Sequence, residues 1–228
     1  LTLFVGGGGR HAIGLVLKPM AESLAWDRTL LGAVIAVFMV VTAFTMVVVG
    51  RLADRYRPAW ILAGGFAVSA LGIGAMGVAE TAWQAFLLYG VVFAIGNGAV
   101  SITPVGVLLT RRFGANAGLA NSIAISGMGL GQLVILSGLS IVLVDTGWRA
   151  VFFWLGAINL LAAPCLLLAA RRDGKQASAP APAEGLGARA AARTRPFWML
   201  MAAYGICGFQ DFFVSSHVVA FALDRGVG

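Results

Sequence analysis

Residues 50–60 read Gly-Arg-Leu-Ala-Asp-Arg-Tyr-Arg-Pro-Ala-Trp, a charged cluster set between two uncharged apolar runs, Thr29 to Gly50 and Pro58 to Ala79. Each run holds 22 residues, enough at ~1.5 Å per residue to cross a hydrocarbon core of ~30 Å. The cluster between them is therefore expected to be a short loop outside the bilayer. Arg51, Arg55 and Arg57 place that loop on the cytoplasmic side, because basic residues beside membrane spans are retained inside.

The composition agrees with a chain that lives in a membrane. Apolar residues make up 60% and charged residues 11%, and the mean hydropathy of +0.92 is far from the balance of a soluble domain. A net charge of +7 would suggest a nucleic-acid partner in a soluble chain. Here the basic residues gather at span ends, so the charge sets topology and no nucleic-acid partner is expected. Cys165 and Cys207 both fall within apolar spans, which gives neither a disulfide framework nor a zinc-ligand spacing. They read as small packing residues.

Charged residues delimit the remaining spans: Thr81 to Thr110, Phe113 to Val144, Ala150 to Ala170, and a seventh from about Pro196 to Leu223. The first span is already apolar at Leu1, lacks an initiator Met and reaches its outer end near Glu22, so the chain reads as a fragment. No basic region precedes Leu1, and Gly6 to Gly9 interrupt the apolar run, which argues against a signal peptide. Arg51, Arg55, Arg57, Arg111, Arg112, Arg171, Arg172, Lys175, Arg189, Arg193 and Arg195 fall on one side of these spans, and only Arg28, Arg149 and Arg225 fall opposite. The start of the chain is thus expected in the cytoplasm. Trp60, Trp83, Trp148 and Trp198 sit at span ends, as headgroup anchors do.

Residues 171–195, rich in Ala, Pro, Gly and Arg, carry no apolar periodicity and read as a cytoplasmic linker. The expected organisation is a six-helix bundle over residues 1–170 with a truncated first helix, the linker at 171–195, and a seventh helix within 196–228 that begins a second, incomplete bundle.

The segment from Gly50 to Arg57 resembles the signature between the second and third helices of the major facilitator superfamily, G-x-x-x-D-R-x-G-R-R, with Gly50, Asp54 and Arg55 matching. Arg57 stands where the motif has its second glycine, and Pro58 and Ala59 replace the basic residues that follow. Further segments are similar to the monocarboxylate-transporter branch. They are Gly9 to Pro19, Thr103-Pro104, Arg112-Phe113, Gly118 to Ala120, Ser126-Gly127, and Gly147 to Arg149 with Phe152, while Ala115 to Ala117 replace that branch's basic pair. The resemblance implies an all-α membrane protein of the major-facilitator type and an inward-gate role for Gly50, Asp54 and Arg55. It also implies a secondary carrier of small organic solutes working by alternating access, with carboxylates as substrates and protons as the candidate coupling ion. A multi-pass protein of a bacterial inner membrane is expected.

A charge in mid-span costs at least ~2.5 to 3.5 kcal/mol on insertion scales and needs a partner, water or a function. Arg10 lies 12 residues before Glu22 and Asp211 lies 13 before Asp224, or ~18 and ~20 Å along a helix, which puts both near the midplane. In the resembling superfamily the first, fourth and seventh helices line the central path, where this chain carries Arg10, Asn97 and Asp211. Arg10 is expected to hold a substrate carboxylate through charge-assisted hydrogen bonds, with Asp211 as the proton or gate partner. An Arg10 to Asp211 ion pair that only offsets burial is the structural alternative. Asn97, between Gly96 and Gly98, suits substrate contact and helix packing equally.

His11 and His217 read as hydrogen-bonded interface residues rather than proton carriers. Gly6 to Gly9 fit either a locally unwound first helix or close packing. Gly127 and Gly131 read as a helix-packing pair. Gly72 to Gly77 satisfy the dinucleotide pattern G-x-G-x-x-G by chance, since they lie inside an uninterrupted apolar span.

No metalloprotease, nucleophile-elbow or Walker motif is present, so neither an enzyme nor a cofactor is expected and transport would draw on a gradient. An efflux or antiport carrier of another substrate class remains open from the sequence. A seven-helix receptor or retinal protein fits poorly, because such receptors place their N-terminus outside and a retinal Schiff base needs a lysine in the seventh span, where this chain has none.

Overall fold

In the computed structural model residues 2–172, 190 and 192–224 are described, with the backbone alone at 28, 54, 169–172, 211–213 and 215–224. The described residues form helices and turns with no strand. They divide into two compact units, Leu1–Ser178 and Ala179–Gly228.

Among the described residues the α-helices of the first unit are α1 (Thr2–Leu24), α2 (Arg28–Arg55), α3 (Pro58–Ala75), α4 (Ala82–Ala85), α5 (Ala94–Ala99), α6 (Ile102–Phe113), α7 (Ala117–Thr146) and α8 (Trp148–Arg172). Among the described residues four stretches are long and apolar enough to cross a membrane: Thr29–Ala53, Pro58–Val78, Ala82–Thr146 and Trp148–Leu168. The third has 65 residues and supplies two crossings, because the chain turns at Gly114 with φ +49°, a left-handed conformation that glycine adopts at no steric cost. α1 has the 23 residues of a span; Arg10, His11, Lys18 and its glycines make it less apolar than the others.

The charged cluster that opened the sequence is more helical than expected. α2 continues through Arg55, and only Tyr56 and Arg57 are extended before Pro58 takes the first position of α3. The cause is local. A proline favours extended backbone in the residue before it and suits a helix start, while Arg55 complements the negative end of the α2 dipole.

The fourth crossing departs from the single helix expected over Thr81 to Thr110. It begins at a capping box in which Thr81 Oγ1 accepts from the Gln84 amide at 3.4 Å. It then runs as a π-helix over Phe86–Phe93 and through α5, and breaks at Ser101, whose ψ of 174° ends helical geometry before α6.

Small residues decide which helices meet. α3 lies along α8 and α1 along α7. A Cβ on Gly156 of α8 would come within 2.7 Å of the Gly74 Cα of α3, and one on Gly65 within 2.7 Å of the Ala99 Cβ. α1 is continuous through Gly6 to Gly9, so close packing and not unwinding explains these glycines: Cβ atoms on Gly7 and Gly8 would press on Met128 and Ile135 at 2.7 and 2.6 Å. Phe66, Val5, Val100, Ala162 and Ala163 close the core between these helices.

Trp60 and Trp83 are exposed, as anchors should be, but Trp148 is only 7% exposed. Its ring meets Phe152 edge-on, and the Arg149 guanidinium lies 4.7 Å over it while donating to the Gly77 carbonyl at 3.0 Å. In the second unit, α9 (Arg195–Asp224) follows a turn whose Ala192 carbonyl accepts from Trp198 Nε1 at 2.9 Å.

Candidate substrate-binding site

Inside the first unit, α1, α2, the α5–α6 break and α7 surround a cavity of about 230 Å³. Its apolar wall comes from Leu3, Phe38, Met39, Met46, Val100, Ile102 and Met128, and its polar groups from Arg10, His11, Thr42, Asn97 and Ser101. A mostly apolar cavity with a few converging polar groups is the usual form of a small-molecule site.

Each polar group is placed by a feature already described. Gly7 and Gly8 draw α1 onto α7, which sets Arg10 and His11 one turn later at the cavity. α5 is pulled between α2 and α3, since a Cβ on Gly98 would meet the Thr45 side chain at 2.8 Å and one on Gly96 would overlap Ser69. Asn97, between these two glycines, is left on the cavity side. Thr42 of α2 donates to the Ala94 carbonyl at 3.4 Å. Phe38 is held by ring contacts to Tyr89 and Phe93, with centroids 5.0 and 5.5 Å away, so the π-helical segment backs this wall.

Neither Arg10 nor Asn97 has a side-chain hydrogen bond or ion pair with another described residue, although Arg10 lies within electrostatic reach of the Tyr89 phenol. The Ser101 hydroxyl oxygen is buried and has no hydrogen-bond partner among the described residues. One permanent cation, one amide and one buried hydroxyl therefore meet at the same apolar cavity. That set can bind a carboxylate and a neighbouring polar group.

Of the residues expected from the sequence, Arg10 and Asn97 line this cavity together. Asp211 belongs to α9 of the second unit, and its side chain lies outside the described residues. Ser101 and Thr42 were not singled out in the sequence; a polar residue three positions before Pro104 in an apolar run was the available signal for the first. His11, read as an interface residue, also lines the cavity.

The signature residues lie elsewhere. A Cβ on Gly50 would stand 3.8 Å from Thr103 of α6, Arg55 is exposed, and the Asp54 side chain lies outside the described residues. Nearby, Arg111 of α6 donates to the Ala53 carbonyl of α2 at 3.0 Å. Gly131 of α7 is buried against the Phe4 carbonyl of α1, whereas a Cβ on Gly127 would meet nothing within 4 Å. Among the described residues no group of His, Cys, Asp and Glu could hold a metal.

The sequence profile of the Major Facilitator Superfamily matches residues 1–228. The chain belongs to the major facilitator superfamily. This superfamily member is also similar to monocarboxylate transporter 11 of Homo sapiens, at 27% identity over 221 residues that cover 96% of this chain and 46% of that protein. The same transporter of Mus musculus is 26% identical over 221 residues, covering 96% of this chain and 49% of its own. The chain thus spans about half the length of the curated relatives it matches. It is an all-α, multi-pass integral membrane protein of a transporter family.

Proposed function

We propose that this major facilitator protein is a secondary carrier of small organic anions, carboxylates above all, and that the cavity around Arg10 is its substrate site. The observation that carries the proposal is the Arg10 side chain, which lines an apolar cavity without a hydrogen bond or ion pair to a described residue. Such a charge is expensive in a membrane span. A carboxylate would offset that cost through paired hydrogen bonds to the guanidinium, with Asn97 and the Ser101 hydroxyl taking the substrate's other polar atoms.

Residues 1–170 form the first bundle in this proposal, 171–195 a cytoplasmic linker, and 196–228 the first helix of a second bundle. Transport proceeds by alternating access. Gly50, Asp54 and Arg55 belong to the inward gate, Gly131 to helix packing, and the start of the chain faces the cytoplasm of a plasma membrane. Asp211, on its mid-span position in the sequence, is the acid that carries a proton or closes the gate. The similarity to monocarboxylate transporters supports the substrate class.

Counterflow of labelled small carboxylates in proteoliposomes holding the full chain, with and without a pH gradient, tests this function. Saturable exchange of carboxylates that amines and sugars do not compete for is the expected result. Exchange that is equally fast with those solutes would contradict it.

A further inference from the structure

We infer that the cavity prefers monocarboxylates with an apolar tail of about five carbons, and that Met39, Met46 and Met128 hold that tail. This rests on the cavity being an organic-anion site. The tail is read from the apolar wall that Arg10 shares the cavity with.

Met39 and Met46 lie seven residues apart in α2, with Thr42 and Ala43 between them. That spacing turns one stripe of the helix to the cavity, and all four residues line it. From α7, Met128 reaches over Gly7, where a Cβ would stand 2.7 Å from its Cγ, and packs against the buried cluster of Leu3, Leu62 and Val105. Leu3 and Arg10 both line the cavity, two turns apart along α1 or ~10 Å. The cation and the cluster that Met128 joins therefore stand at different levels of the cavity. A methionine side chain is unbranched, turns about three bonds and carries a polarisable sulfur, so it fits itself to the apolar group beside it. Surfaces rich in this residue re-pack around apolar ligands of differing shape.

Volume sets the length of the tail. At ~30 Å³ per non-hydrogen atom, the share of one water in the liquid, a cavity of about 230 Å³ holds about eight such atoms. A carboxylate group takes about three of these places at Arg10, which leaves about five for carbons along the methionine wall. Acids shorter than this leave the wall unfilled, and longer ones exceed the space.

Equilibrium binding of labelled hexanoate to the full chain in nanodiscs, with binding to empty nanodiscs subtracted, tests this when competed by acetate, butanoate, hexanoate and octanoate. At about pH 7.5 every acid of the series is ionised, so tail length is the variable. Affinity should rise about fourfold per methylene up to hexanoate and rise no further in octanoate. Met46→Gln, which sets an amide in the wall, should weaken hexanoate about tenfold and flatten the step from butanoate to hexanoate. Met46→Leu, which keeps the wall apolar, should recover most of that step. A wild-type step in Met46→Gln overturns the role of the methionine wall. Should that variant not yield monodisperse protein, Met39→Gln decides on the same terms: a flattened step supports the wall and the wild-type step overturns it. Affinity that is equal across the four acids yet lost in Arg10→Ala overturns the tail preference and leaves the anion site standing. Affinity that climbs on through octanoate with the same slope in the methionine variants marks partition into lipid and overturns it as well. Binding of all four acids that is absent, or untouched by Arg10→Ala, overturns the anion site and the tail preference together.

Discussion

Arg111 donates from its guanidinium to the Ala53 carbonyl across 3.0 Å, tying the last turn of α6 to the last turn of α2. An orphan carbonyl at a helix end is thereby paired with a charged donor. The bond lies beside the signature residues Gly50 and Arg55, where the second and fourth crossings end on the same side of the bundle.

Arg111→Ala should therefore loosen the bundle. A hydrogen bond to a charged group contributes about 1.5 to 3 kcal/mol, enough to lower the melting temperature of purified protein by several degrees. Arg111→Lys should recover part of that loss, because a lysine keeps the charge but not the planar fork. Thermal unfolding in detergent checks this, and equal melting temperatures in all three proteins would show the contact to be incidental.

Gly131 and Gly127 should respond differently to the same change. A Cβ at Gly131 would overlap the Phe4 carbonyl, while one at Gly127 meets nothing within 4 Å. Gly131→Ala is expected to separate α1 from α7 and yield aggregated protein on size exclusion. Gly127→Ala should elute as the wild type does; the opposite pattern would mean that α1 and α7 cross elsewhere.

Ser101→Ala separates stability from function. The hydroxyl is buried without a hydrogen-bond partner among the described residues, and an unsatisfied buried polar group costs about 1 to 3 kcal/mol. Removing it should leave the melting temperature unchanged or raise it. Substrate affinity should nevertheless fall several-fold. A variant that loses stability and keeps affinity would place Ser101 in the fold rather than in the site.

How far the sequence reached is clearest from individual residues. The order of crossings was legible, because apolar runs end in charged clusters and the bilayer fixes their length. The last turn of α2 was not, since Arg51 to Arg55 read as a loop by charge although backbone hydrogen bonding carries the helix on to Arg55. The break at Ser101 was hidden inside an apolar run, with Pro104 as its only proline. Arg10 and Asn97 stood out as polar residues in mid-span. Ser101, Thr42 and Phe38 join them only after α2, α5 and α6 have packed, which no spacing along one helix encodes. Trp148 shows the reverse error: an indole at a span end reads as an anchor until Arg149 and Phe152 are seen to cover it.

The central claim is that Arg10 holds the substrate carboxylate. Its most direct test is the affinity for labelled pyruvate in proteoliposomes holding the full chain, compared between wild type, Arg10→Lys and Arg10→Ala at equal insertion. Loss of a charge-assisted hydrogen bond of about 1.5 to 3 kcal/mol predicts roughly 10- to 150-fold weaker binding in Arg10→Ala, with Arg10→Lys in between. Wild-type affinity in a well-inserted Arg10→Ala protein would contradict it.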